Sequence, residues 1–134
     1  MKFRASINGN WRVIDTSPFR AIDVPKDVTP TILLPHGMRN SQQSLEELVH
    51  ECLHAAYYYS PEKKVEIAGG KIAERLWGLG LRLKLLRNPR NTKVPMKLVR
   101  EMDYALYTLA GITKEQVAKD LSKVLWRSGW RFKT

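Results

Sequence analysis

The residues with the clearest chemical potential are two histidines separated by one helical turn, with a glutamate between them. They lie in the segment His50-Glu51-Cys52-Leu53-His54, a His-Glu-x-x-His pattern. Residues four positions apart share one face of a helix, so both imidazoles can bind the same metal ion. Glu51 follows His50 directly, so its carboxylate flanks that ion and can act as a general base toward bound water. The pattern therefore predicts a zinc site held by His50 and His54.

Histidine is a scarce residue, so a random chain of this length contains this pattern on the order of once in several hundred cases. The surrounding residues favour a helix that is amphipathic, because Leu48, Val49, Cys52 and Leu53 recur at helical spacing. The alternative interpretation is a pair of surface histidines with an incidental glutamate between them.

A catalytic zinc ion usually has three protein ligands and a water molecule, so a third ligand must come from elsewhere. The other histidine of the chain, His36, lies upstream, and the downstream candidates are three acids, Glu62, Glu66 and Glu74. Glu66 is the preferred candidate because it follows His54 in the early part of a second helix that must pack against the first. The alternative is that Glu66 is an exposed partner of nearby lysines.

Two glycines on the second helix support a close approach of the two helices. Glycine inside a helix costs roughly 1 kcal/mol relative to alanine, so Gly69 and Gly70 need a structural reason. Close packing supplies that reason, since it lets a short carboxylate reach an ion bound on the first helix.

Capping signals and hydrophobic periodicity predict four helices after an extended N-terminal region. Ser44 with Glu47 forms a capping box for a helix that runs to about Tyr58, and Ser60-Pro61-Glu62 begins a second helix. The same periodicity predicts two further helices, over residues 97–109 and 114–126.

Alternating apolar residues predict strands near the N-terminus. These are residues 3–7, 11–15 and 31–34, and Asn8-Gly9 provides a hairpin turn between the first two. The predicted fold is α+β, with a small N-terminal sheet of about three strands packed on about four helices. We expect one domain, 1–134, in which residues 1–35 form the sheet, 44–80 the metal-site helices and 81–134 a basic helical part. No internal repeat is evident.

The chain carries a net charge of +10, from 23 Lys and Arg against 13 Asp and Glu. The cations concentrate in a run from Leu79 to Arg100 and again in the C-terminal segment. Such a balance favours contact with nucleic acid, and the alternative is a cationic surface that only meets solvent.

The remaining composition limits the compartment and the type of metal site. One cysteine, Cys52, excludes an intrachain disulfide and zinc sites of the Cys-x-x-Cys type. Apolar runs are too short for a membrane span or a signal peptide, so no membrane partner is expected. We expect a cytoplasmic protein of a bacterium or of a phage-infected host cell.

Residues 31 to 80 resemble the small zincin-type peptidases. The similarity rests on residues 47–55, around the histidine pair, then on Val65-Glu66-Ile67-Ala68 and on Leu76-Trp77-Gly78-Leu79-Gly80. The chain looks most similar to metallopeptidases encoded by bacteriophages, with a more distant resemblance to the SprT-like and ImmA/IrrE-like families. The resemblance implies a zincin-like active-site helix, Zn²⁺ as cofactor, Glu66 as third ligand, Glu51 as catalytic base and a polypeptide substrate.

Two features depart from that pattern. SprT-like enzymes have a third histidine downstream, and this chain has none after His54; many also carry a zinc ribbon, which one cysteine cannot build. The alternative function is therefore a basic factor that binds nucleic acid or a host protein, with a structural or degenerate zinc site. For stabilisation of the oxyanion, the candidates are His36, Tyr104 and the tyrosines that follow the motif, Tyr57, Tyr58 and Tyr59.

Overall fold

The structure is a computed structural model of the 134-residue chain, and it describes residues 2–7, 10–15, 31–33, 39–57, 61–84, 93–110 and 115–132. Four helices lie within those ranges: α1, Gln42–Ala56; α2, Glu62–Gly78; α3, Met96–Ala110; and α4, Glu115–Arg127. Short strands accompany them, so the α+β class predicted from the sequence is confirmed.

The strands form two separate groups. Near the N-terminus, β1, Lys2–Ile7, pairs antiparallel with β2, Asn10–Asp15, and β2 pairs in parallel with β3, Thr31–Leu33. The second group is a short antiparallel pair of β4, Leu81–Leu83, with β5, Trp130–Phe132. In the sequence, the leucines at 81, 83, 85 and 86 are compatible with either a helix end or a strand, and no pattern indicates β5. The turn expected at Asn8-Gly9 lies outside the described residues.

The helices bury the apolar stripes that their periodicity predicts. α1 packs on α2, α2 on α3 and α3 on α4, while α4 also contacts β1. The core contains fully buried residues from all four helices, among them Leu48, Ile72, Met102 and Val124. Burial of one such side chain contributes about 1.5–3 kcal/mol, so this shared core fixes the position of α1 relative to α2.

Helix α1 begins three residues earlier than the sequence predicted. Ser41 is its N-cap, and the Ser41 hydroxyl accepts a hydrogen bond from the Ser44 backbone N–H at 3.1 Å. The hydroxyl of Ser44, the predicted cap, instead accepts the backbone N–H of Arg39 at 3.0 Å. Ser44 is buried inside the first turn, so the earlier serine is left to satisfy the free N–H groups of the helix end.

An internal repeat, which the sequence did not reveal, relates the end of α2 with β4 to the end of α4 with β5. Each unit reads Leu-Trp, then two variable residues, then a glycine, an apolar residue and an arginine, from Leu76 to Arg82 and from Leu125 to Arg131. Both glycines have a positive φ, 97° at Gly80 and 105° at Gly129. Only a few positions match, so the repeat becomes visible when the two strands are seen to pair.

The two arginines of the repeat perform the same local task. Arg82 stacks over the Trp77 ring at 3.6 Å and donates to the Trp77 carbonyl oxygen at 2.7 Å. Arg131 stacks over Trp126 at 3.6 Å and also donates to the Trp126 carbonyl. Each guanidinium thereby satisfies a carbonyl at the negative end of a helix and is stabilised by the aromatic face. Burial lowers the pKa of Arg131.

Substitution of Gly129 by alanine is expected to destabilise the fold. The positive φ of Gly129 disfavours any side chain, and an added Cβ would meet the Lys84 carbonyl oxygen at 2.6 Å. We expect a loss of about 1–3 kcal/mol in the free energy of unfolding, measured by urea denaturation. Gly78→Ala is the matched control, because nothing lies within 4 Å of its Cβ position; it should be neutral or stabilising. Equal stability of the two variants would contradict this account of the turn.

Candidate metal centre

Three potential metal ligands converge where the C-terminal half of α1 meets the first turn of α2. The Nε2 atoms of His50 and His54 are 2.9 Å apart. The Glu62 carboxylate lies 2.8 Å from His50 Nε2 through one oxygen and 2.7 Å from His54 Nε2 through the other. Among the described residues, these three have potential ligand atoms close enough together to hold one metal ion. The spacing predicted for the two histidines is therefore realised on one face of α1.

The donor set fits a zinc ion. Zinc prefers imidazole nitrogen and carboxylate oxygen at about 2.0–2.2 Å, and a tetrahedral site with those bonds separates its ligand atoms by roughly 3.3 Å. The two nitrogens lie 2.9 Å apart, and each carboxylate oxygen lies 2.7–2.8 Å from one of them, so the imidazoles need to open by only about half an ångström. Imidazole lone pairs and a carboxylate held this close repel one another unless a proton or a metal cation lies among them.

A glycine of α2 lies where that helix contacts α1 beside the candidate metal ligands. A Cβ at Gly69 would lie 3.4 Å from the His50 Cα and 3.5 Å from its backbone nitrogen. The next glycine, Gly70, is similarly close to the carboxylate of Glu46. The expectation that this glycine pair marks a close helix contact agrees with these distances, and the contact lies at His50 itself.

Two of the candidate ligands, His50 and Glu62, line a cleft of about 750 Å³. The exposed fractions of the three ligand side chains are 20% for His50, 31% for His54 and 65% for Glu62, so a substrate can reach the centre. Five glutamates line the cleft with His50 and two glutamines: Glu46, Glu47, Glu51, Glu62 and Glu66. No lysine or arginine is among the described residues that line it, although the chain as a whole carries a charge of +10.

Glu51, predicted to be the general base, lies in the wall of this cleft beside His50. Its side chain is half-buried, and its charge contributes to raising the pKa of the neighbouring Cys52 thiol, after burial as the larger cause. The raised pKa keeps Cys52 protonated, and the side chain is fully buried in the core. Cys52 therefore packs as a small apolar residue, as the sequence suggested.

The structure groups Glu62, and not Glu66, with the two histidines. Glu66 is exposed and lines the same cleft, but it lies outside the set of atoms that could share an ion. Both acids lie on one face of α2 because they are four residues apart, so helical periodicity alone does not choose between them. Glu62 was one of the three downstream acids considered in the sequence, and the position of α2 along α1 favours it.

The candidates for oxyanion stabilisation fall in different places. Tyr57 follows α1 directly and is half-buried; burial raises its pKa, and its hydroxyl has no hydrogen-bond partner among the described residues. Tyr104 is on α3, where its exposed ring lies under Arg75. The other candidates, His36, Tyr58 and Tyr59, lie outside the described residues, as does Ser60, the predicted cap of α2.

Comparisons of the chain with protein-family models, with curated proteins and with solved structures found no match. Within the described residues, no helix has the length and apolar character needed to cross a bilayer. Function is therefore inferred from the arrangement of side chains in this chain.

Proposed function

We propose that the chain is a zinc-dependent metallopeptidase in which His50, His54 and Glu62 hold the ion and Glu51 is the general base. The observation that carries the proposal is the convergence of two imidazole nitrogens and one carboxylate within 2.7–2.9 Å, beside a cleft that His50, Glu62 and Glu51 line. In this reading α1 is a zincin-like active-site helix. Glu66 becomes a residue of the cleft wall and not a ligand.

Each residue has a defined task in peptide hydrolysis. Bound zinc would supply a Lewis acid that brings the pKa of its water molecule near neutrality. His50 and His54 would hold the ion through their Nε2 atoms, which already lie 2.9 Å apart. Glu51 accepts the proton of the water that attacks the carbonyl carbon, and it then donates this proton to the amine nitrogen as the carbon–nitrogen bond breaks.

The charge of the cleft supports a preference among polypeptide substrates. Five carboxylates around one opening produce a negative potential that attracts cations and repels acids. We therefore infer that the enzyme acts on extended segments containing lysine or arginine. The preference should weaken as salt screens the exposed carboxylates.

The proposal predicts zinc-dependent cleavage of an unfolded, lysine-rich polypeptide. The zinc-loaded chain should cleave it, a chelator should abolish cleavage, and added zinc should restore it. His54→Ala should bind little zinc and show no turnover, whereas the wild type should hold about one zinc per chain by elemental analysis. An unfolded glutamate-rich polypeptide should be cleaved more slowly at low salt.

Two outcomes would overturn the assignment. Equal and negligible zinc in the wild type and in His54→Ala would remove the metal centre. Stoichiometric zinc that raises the melting temperature, without cleavage of either polypeptide, would indicate a structural site and favour a binding function.

A further inference from the structure

The second half of the molecule has its own cleft, between α3 and α4, with the opposite charge. Its volume is about 350 Å³, and it contains three apolar residues and four cations, Lys93, Lys119, Lys123 and Arg127. No carboxylate is among the described residues that line it, although Lys119 forms an exposed ion pair with Glu115 at 3.6 Å. A chain with a strongly acidic cleft thus keeps a separate, basic cleft away from the metal centre.

We propose that this basic cleft binds the phosphate backbone of a nucleic acid. Three of its cations, Lys119, Lys123 and Arg127, occur every fourth residue along α4. They form a row of about 12 Å, since a helix rises about 1.5 Å per residue. A nucleic-acid strand with a rise of about 3.4 Å per phosphate can meet the whole row with a few consecutive phosphates.

The N-terminal end of α3 adds to this positive potential. Val94, which lies just before α3, and Met96, its first residue, both line the cleft. The N-terminal end of that helix therefore opens into it. The first turn of α3 contains no acid, so the positive end of its dipole is not neutralised from within the helix. A helix N-terminus together with a row of cations attracts phosphate more strongly than either feature alone.

The lining also indicates what kind of contact is made. Among the described residues that line it, none is an aromatic residue that could stack on bases, and none is an asparagine or glutamine that could pair with base edges. Recognition would therefore be of the backbone, with little dependence on sequence. Met96, which is 59% exposed, and two valines provide an apolar floor that can contact the sugars.

The test is binding of a fluorescent 20-base-pair DNA duplex of arbitrary sequence, by anisotropy over a range of salt concentrations. If the three lysines of the cleft neutralise three phosphates, the logarithm of the binding constant should fall with the logarithm of salt with a slope of about −2.7. Lys119→Gln with Lys123→Gln should reduce the slope by about 1.8 and weaken binding by one to two orders of magnitude at about 0.1 M salt.

Lys64→Gln with Lys71→Gln is the matched control. It also removes two exposed lysines from one helix, α2, and should leave the slope nearly unchanged. Chelation of zinc should have no effect on duplex binding, which separates this site from the proposed metal centre. Lys93→Gln is a further variant, since Lys93 lies before α3 and its replacement leaves both helices intact.

Three results would contradict the proposal. Equal losses in the two double variants would mean that the chain is attracted only by its total charge. Absence of duplex binding by the wild type at about 50 mM salt would remove the site. Displacement of the duplex by vesicles of phosphatidylglycerol, bound through the same lysines and more tightly, would assign the cleft to a lipid surface.

Discussion

Replacement of Glu51 by glutamine is expected to reduce the rate of polypeptide cleavage by about 10²–10⁴-fold, the usual contribution of a general base. Glutamine has nearly the same shape but cannot accept a proton from water at neutral pH. Zinc content and thermal stability should stay close to those of the wild type, because Glu51 is not among the three converging ligands. The effect should appear mainly in kcat, with only the modest rise in KM that the loss of one cleft charge produces.

Glu47→Gln provides the control for this measurement. Glu47 lies one turn before Glu51 on α1 and lines the same cleft, so its replacement removes the same charge from the same wall. We expect a modest rise in KM for a lysine-rich substrate and an unchanged kcat. Similar losses of kcat in both variants would show that the cleft acts through its total charge, and would contradict a specific role for Glu51.

Replacement of Glu62 by alanine is expected to remove most of the zinc affinity, whereas Glu66→Ala should retain it. Structural zinc sites bind with about 10–16 kcal/mol shared among four ligands, so each contributes roughly 3 kcal/mol, or about a hundredfold in affinity. The affinity can be measured by competition with a coloured chelator. Glu62→His should recover much of the binding, because imidazole is also a zinc ligand.

The pair of alanine variants decides between the two acids of α2. Loss of zinc in Glu66→Ala, with retention in Glu62→Ala, would establish Glu66 as the third ligand, as the family resemblance implied. Loss in neither variant would mean that the histidines use a ligand from elsewhere in the chain. Glu62 is two-thirds exposed, so its removal should have little effect on the stability of the zinc-free protein.

Sequence reasoning was strongest where the interaction is local. His50 and His54 lie four residues apart in an amphipathic segment, and the geometry of one helix is enough to bring their imidazoles together. The same applies to the existence and approximate bounds of the four helices, which follow from periodicity and caps. The prediction of Ser44 as the cap of α1 was wrong by three residues. Ser41 and Ser44 are both residues that can begin a helix, so the local sequence does not choose between them.

The choice of the acid that lies beside the two histidines depends on the packing of two helices. Glu62 and Glu66 are equivalent with respect to the axis of α2, so the choice depends on how far α2 lies along α1. That displacement is fixed by the packing of Gly69 against His50 and by the shared core. No pattern within either helix encodes it.

The sequence by itself determined the histidine pair, the glutamate beside it, the α+β class and the total charge of +10. Only the tertiary structure decided which acid lies beside the histidines. It also showed that β4 and β5, at the ends of the two repeat units, pair with each other, and that the charged residues form one acidic and one basic cleft. The reason is that helical spacing is set by bonds within one segment. Ligand choice and surface potential depend on the relative positions of segments distant in the chain, which the packed core alone determines.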